Sequence, residues 1–480
     1  MSTHSLIWQE GPQVWAFDPE LMSEALLRLL AKHLMPLLLQ LDAQLDKRLV
    51  RTFARLVQTI ITFRDRVNAL LLTELGEHLG SAQQTPAAVK RISHLLRSPK
   101  WSSSLIREYL LQRAHERLEQ WEAQQLIALL VWDSSQQEKA ESIHNEEYCA
   151  VRSTKAARLK RIKKGFYTPP SGPVFVPGLH WEGVLLVGLS TRQDPPQVAA
   201  MRWWTSRGVH ASFQRDEQGK LLVELKERFG RRVIHIFDSG FAGSFWLGVL
   251  LGLELRFIMR WKSSYKLLDE QGCLRKTWEI ARGKPSWEKM AIWDARKQCL
   301  VPGGIVAFPV RHPDHPEHPF WLVVCRSQDR EPWYLLTAEL ASTPTQAWPT
   351  YWAYARRWQV EEEIKDQKSE LGFESPRVQA WETREKLLLI ATLAYDFLLS
   401  LLHPWLEPLR TWCIETFCPR TGRHLRLVKH PFVRLRKAVR ALWQAYPPQA
   451  LLPREPLWPG ASSSRKKKHP SKATSTCVQA

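Results

Sequence analysis

The sequence predicts an α/β fold: helices cover a sheet, a β-rich insertion splits the sheet-forming part, and helical regions flank both ends. Three observations carry this. Strand-length apolar runs and helix-period segments mix between residues 126 and 253, as a sheet covered by helices requires. Short alternating runs fill residues 254–348, which fits an antiparallel insertion. Both ends carry apolar residues at the three-and-four spacing of amphipathic helices.

Residues 1–125 read as a helical N-terminal, DNA-binding region, with "LMSEALLRLLAKHLMPLLLQLDAQL" and "RTFARLVQTIITFRDRVNALLL" as its clearest helices. In "TPAAVKRISHLLRSPK", Thr85 and Pro86 start a helix and Pro99 stops it. Its Lys90, Arg91, His94 and Arg97 form either a DNA-contacting face of a helix-turn-helix-like unit or a solvated basic face.

Residues 126–253 open with "LIALLVWDSSQQ", a strand running into Asp133, followed by a basic block with seven Lys or Arg between Arg152 and Lys164. "GVLLVGLSTR" and "QVAAMRWWTS" are two more strands, and "LLVELKERFG" is a helix ending at Gly230. "RRVIHIFDSGFAGSFWLGVLLGL" reads as a buried strand with Asp238 at its tip, a glycine turn and a helix. In the insertion, "LRFIMRWKSSYKLL", "IVAFPVR", "FWLVVCRS" and "PWYLLTAEL" are strands, and "RHPDHPEHPFW" reads as a polar loop because its prolines interrupt regular structure.

Residues 349–402 resume the core. A polar helix, "YARRWQVEEEIKDQK", begins after Pro349, and a buried one, "EKLLLIATLAYDFLLSLL", follows it. Residues 403–462 are a basic helical region, and residues 463–480 read as a disordered basic tail.

Composition narrows the function. A net charge of +20 and a pI near 9.8 favour polyanionic partners, nucleic acid before anionic membrane. The longest apolar run, Leu387 to Leu402, is short for a span and contains Asp396, so no membrane insertion is expected. No signal peptide is read at the N-terminus. Seven scattered cysteines point to a reducing compartment without a disulfide framework. The 23 tryptophans suit buried anchors or nucleobase-stacking platforms.

Asp133 and Asp238 both follow apolar strands, so a rigid sheet can aim their carboxylates at one point, as a shared hard cation requires. For either Asp alone, a turn or a helix cap is the competing reading. On an unbroken helix Tyr354, Arg357, Glu361 and Lys368 fall within roughly a 60° arc, a stripe about 21 Å long. There Arg357 could grip one phosphate with its planar fork and Lys368 hold a second as a point charge. Tyr354 could donate to a phosphate or stack on a base. Glu362 and Glu363 point elsewhere, which selects Glu361.

The spacing of Tyr354, Arg357, Glu361 and Lys368 resembles the Y-(2)-R-(3)-E-(6)-K signature of bacterial insertion-sequence transposases of the insertion-sequence-four type. "WDSS" and "DSGFAG" resemble the family's first and second Asp motifs, and "PWYLLTAEL" its last insertion strand, where Trp333 matches a base-holding tryptophan. Ser239 stands where many relatives carry arginine.

The resemblance implies an RNase H-like core with an Asp-Asp-Glu site of Asp133, Asp238 and Glu361 holding Mg²⁺, for which Mn²⁺ can substitute. It implies nicking at a transposon end, attack of the freed 3′-hydroxyl on the opposite strand to give a hairpin, and insertion into a target. Tyr354, Arg357, Lys368 and Trp333 would bind the DNA. The implied partners are double-stranded DNA with terminal inverted repeats, target DNA and a second copy in a synaptic homodimer. The implied location is the cytoplasm of a prokaryote, at the nucleoid. Two other readings stay open: an RNase H-like nuclease or resolvase without strand transfer, and a recruited, transposase-derived DNA-binding protein.

Overall fold

The structure, a computed structural model, describes residues 17–63, 68–80, 82–142, 145–156, 172–189, 194–294, 299–327, 330–418 and 431–449. Most of the basic block after Arg152, and the tail expected to be disordered, lie outside these residues.

Among the described residues twelve strands form one mixed sheet. Five of them make its centre: β1 (Ile127–Glu138), β3 (Phe175–Leu189), β4 (Gln197–Trp204), β5 (Val233–Phe237) and β6 (Arg256–Arg260). They lie in the spatial order β4-β3-β1-β5-β6; β3 is antiparallel to β1 and β4, whereas β1, β5 and β6 run parallel. β2 (Cys149–Arg152) shares the outer edge of β3 with β4. β6, read above as the first insertion strand, is thus the parallel neighbour of β5.

The insertion extends the same sheet through β12 (Arg330–Thr337), β11 (His315–Ser327) and β10 (Cys299–His312). β7 (Lys266–Leu268), β8 (Leu274–Lys276) and β9 (Glu288–Asp294) complete it. "RHPDHPEHPFW" is no loop: it forms the turn and first residues of the β10–β11 hairpin. Pro316 and Pro319 are tolerated because β11 meets β12 only from Trp321 onward, so this end of it is an edge.

Strand alternation divides the core. Leu129, Val131, Ile234 and Ile236 face one layer, with the helices Pro19–Asp42, Lys47–Thr62, Thr85–Arg97, Trp381–Ser400 and Pro431–Ala445. Leu130, Trp132, Val233 and Phe237 face the other, with Gln214–Phe229 and Ser244–Gly252. The Thr85–Arg97 helix buries Ala88, Ile92, Leu95 and Leu96 and leaves Lys90, Arg91, His94 and Arg97 exposed.

The C-terminal basic helix packs into the N-terminal bundle. Arg436, 1% exposed, donates to the carbonyls of Ile60 and Phe63 and so completes the end of the Lys47–Thr62 helix. The Trp381–Ser400 helix is buried almost throughout. Among the described residues no single helix is long and apolar enough to cross a membrane, and Cys149, Cys273, Cys299, Cys325 and Cys413 form no disulfide.

Candidate active site

Asp133 lies inside β1, not at its end, because β1 continues to Glu138 against β3. Gly183 is its cross-strand partner. Alternation puts Asp133 on the face of Leu129 and Val131, beneath the helix that carries Val360 and Ile364. Asp238 follows β5, and its Oδ1 accepts the Gly240 N–H at 2.8 Å. A Cβ on Gly240 would lie 2.9 Å from that oxygen, so a larger residue there would displace the Asp238 carboxylate.

The polar helix differs from its sequence reading. It is two helices, Pro344–Ala355 with Pro349 inside it, and Trp358–Ser369. They meet at Arg356 and Arg357, where the bonds Arg357 N–H to Tyr354 C=O and Val360 N–H to Arg357 C=O have the tighter three-residue spacing. Tyr354 and Glu361 therefore share no straight stripe. The inward row of the second helix is Val360, Glu363, Ile364 and Gln367, which leaves Glu361 on its flank.

Arg357 joins the acids. Its guanidinium pairs with Glu361 and lies 3.7 Å from Asp133 Oδ1. Burial raises the Asp133 carboxyl to about 7; Arg357 and Lys368 oppose the rise, while Asp238 and Glu361 add to it. Asp133, Asp238, Glu361, Arg357 and Lys368 thus lie within electrostatic reach of one point. Burial works against the Arg357 charge too, but Tyr354, Glu361 and Asp133 hold its pKa above the ordinary value. Lys368 is pulled down by burial, against Glu374, Glu138 and Asp133. The segment after its helix is pinned by Phe373, which packs on Trp181 and Trp203, and by Lys139 Nζ, which donates to the Glu374 and Pro376 carbonyls.

Tyr354 is 2% exposed, with Arg357 5.9 Å from its ring centroid, so its face is closed to a base. Trp333, half-buried on β12, stacks on Tyr351 at 5.5 Å and meets Tyr354 edge-on at 5.1 Å. Its ring is already packed against two tyrosines.

Two residues, Arg260 and Glu182, escaped the sequence reading, and a third, Glu363, was set aside by it. Arg260, at the end of β6, bears on the Tyr354 hydroxyl; an arginine closing an apolar strand was its signal. Glu363 is 1% exposed, its carboxyl pushed well up by burial with Asp396 and Asp133 adding to the push, and Gln367 donates to it at 2.7 Å. Glu182, on the opposite face of the sheet, accepts from Ser134 Oγ at 2.6 Å and Gln218 Nε2 at 2.8 Å. A glutamate inside the apolar strand "HWEGVLLVG" was the signal for it.

Burial raises Glu182 to about 8, against its two donors. A carboxyl raised on folding favours the folded state fully below its ordinary value of 4.5, and that contribution is lost as pH climbs to about 8. Glu182→Gln keeps an acceptor for both donors and removes the charge. Its melting temperature should gain on wild type between about pH 4.5 and 8 and keep a constant lead above. Parallel melting curves across that range would assign the stabilisation to something other than ionisation.

Hard oxygen donors suit a hard divalent cation, and Asp133, Asp238 and Glu361 supply them from three separate elements. Among the described residues no three acids, histidines or cysteines stand in a ready ligand arrangement. Arg357 provides the positive charge between Asp133 and Glu361 instead.

No protein-family model and no curated protein matches the sequence. Among solved structures, the chain is similar to a piggyBac transposase in a synaptic complex with hairpin DNA. The TM-score is 0.39 with 11% identity, over 92% of this chain and 83% of that one.

Proposed function

We propose that the protein is a DNA transposase of the Asp-Asp-Glu type, cutting and joining phosphodiesters at transposon ends. The observation that supports this is the set of charges at Asp133: Arg357 pairs with Glu361 and lies 3.7 Å from Asp133 Oδ1, and Asp238, Glu361 and Lys368 all bear on the Asp133 carboxyl, although Asp133 and Glu361 are more than two hundred residues apart in sequence. The strand order β4-β3-β1-β5-β6, with its antiparallel and parallel halves, supports an RNase H-like core. The spacing from Tyr354 to Lys368 supports the insertion-sequence-four type within that class.

Asp133, Asp238 and Glu361 would hold Mg²⁺ or Mn²⁺, which supplies positive charge at the reacting phosphate. The chain's own groups do the rest. Arg357, released from its carboxylate partners, binds a phosphate with its planar fork. Lys368 adds a second positive charge on the same side. Tyr354, buried between Trp333 and Arg357, orients the guanidinium and not a base. The partners are double-stranded DNA with inverted terminal repeats and a target duplex, synapsed by two copies of the chain.

Hydrolysis alone, as in a resolvase, is the second reading. What favours it is Trp333, whose ring is packed on Tyr351 and Tyr354 and must leave them to hold a displaced base during hairpin formation.

The test is incubation of DNA carrying the gene's own flanks with Mg²⁺, beside Asp238→Asn. Wild type should nick at a flank and then yield hairpins, and the variant neither. Nicks without hairpins would select the resolvase reading. Binding by wild type without cutting, in Mg²⁺ and Mn²⁺ alike, would leave only a DNA-binding protein.

A further inference from the structure

On the sheet face opposite Glu361 lies a cleft of about 710 Å³. Its walls are the first turns of the Gln214–Phe229 and Ser244–Gly252 helices, and Gln218 and Gly240 also line it. Both lead to the acids. Gly240 donates to Asp238, and Gln218 bonds Ser134, the residue after Asp133. Aromatic surface is exposed here: Phe213 is 73% and Phe245 49% exposed. Arg215, itself exposed, lies 4.8 Å over the Phe245 ring, and such a guanidinium–aromatic pair extends a stacking surface. Neither helix has a side-chain cap, since Phe213 and Gly243 hold the cap positions, so their leading N–H groups are left for other acceptors.

The charge balance chooses among ligands. Asp216 also lines the cleft, so a bare phosphate meets a carboxylate beside the Arg215 charge. A flat ring that stacks on Phe213 and on the Phe245–Arg215 pair, with one phosphate near Arg215, satisfies every wall. That is a nucleotide whose base is unpaired, because a duplex offers no base face.

We propose that this cleft binds single-stranded nucleic acid, stacking an unpaired base against Phe213 and the Phe245–Arg215 pair. Its link to the acid site rests on the phosphodiester reading above: the occupant is the strand that parts from its complement beside Asp238. Its stacking chemistry does not depend on cleavage, and the experiment separates the two.

A fluorescein-labelled oligothymidylate is titrated, without metal, against wild type, Phe213→Ala, Phe245→Ala, Phe245→Trp and Arg215→Ala. Wild type and Phe245→Trp should bind alike. Phe213→Ala and Phe245→Ala should each weaken binding roughly five- to 150-fold, the loss expected for one stacked base. Arg215→Ala should also flatten the salt dependence. Equal affinity in both alanine variants, or no binding by wild type, overturns the proposal. Because Phe213 is largely exposed, its variant tests the cleft without disturbing the core. Intact oligonucleotide binding by a protein that cuts no DNA supports the cleft and removes the phosphodiester reading alone.

Discussion

Glu361→Gln should abolish Mg²⁺-dependent nicking of flank DNA and leave duplex binding within about twofold. Glutamine keeps the length and one acceptor of glutamate and removes its charge, so the proposed ligand set loses a hard anionic donor while the basic surfaces persist. Groups that merely support a metal ligand cost about 10- to 100-fold when changed, so loss of the ligand should exceed roughly a hundredfold. The same change frees Arg357 from its closest partner, which favours phosphate binding and offsets any weakening. The measurement is a nicking time course beside an electrophoretic shift on the same fragment. Wild-type cutting rates would remove Glu361 from the chemistry. Glu363, two residues on and in the buried row, would then be the next acid to change.

Asp396→Ala should destabilise the fold more than any surface change. Asp396 is 1% exposed and joins four elements: Gln197 Nε2 donates to it at 2.6 Å and the Val198 N–H at 3.3 Å, while Arg113 Nε and His33 Nε2 lie 3.3 and 3.4 Å away. Burial pushes its carboxyl up, and Arg113 and the donors pull it back without cancelling the rise. Arg113, about a quarter exposed, is held protonated by Asp396 in turn. The pair therefore adds little net stability, yet removing one partner strands the other. Breaking such a pair costs about 3–5 kcal/mol, here toward the lower figure. A chemical denaturation midpoint lowered accordingly, with Asp396→Asn in between, is the expected result; an unchanged midpoint would mean that water already reaches Arg113.

Strand-length apolar runs made the central strands legible, and the acids at Asp133 and Asp238 stood out because charge is rare beside such runs. What stayed hidden depended on partners distant in sequence. β1 outlasts its apolar stretch because β3 pairs with Ser134 to Glu138, which local hydrophobicity does not encode. β6 looks like any insertion strand until its parallel pairing with β5 is known. The Tyr354–Lys368 stripe assumed one continuous helix, whereas the chain leaves the helix at Arg356–Arg357. Glu361 outranked Glu363 by spacing alone, whereas burial depends on where the helix lands on the sheet. The histidine-rich hairpin was misjudged because an edge tolerates prolines that a central strand does not.

The unbroken pairing from β6 through β12 limits how such a chain can be trimmed or can diverge. The insertion is hydrogen-bonded to the core along Ile258–Arg260, and those strand contacts cover a row of backbone donors and acceptors beside the buried Ile258 and Met259. A shortened descendant lacking β12 would bare that row as an adhesive border, ready to recruit another chain edge to edge. Length variation should therefore accumulate at the remote β7–β9 margin, and the β6–β12 seam should persist.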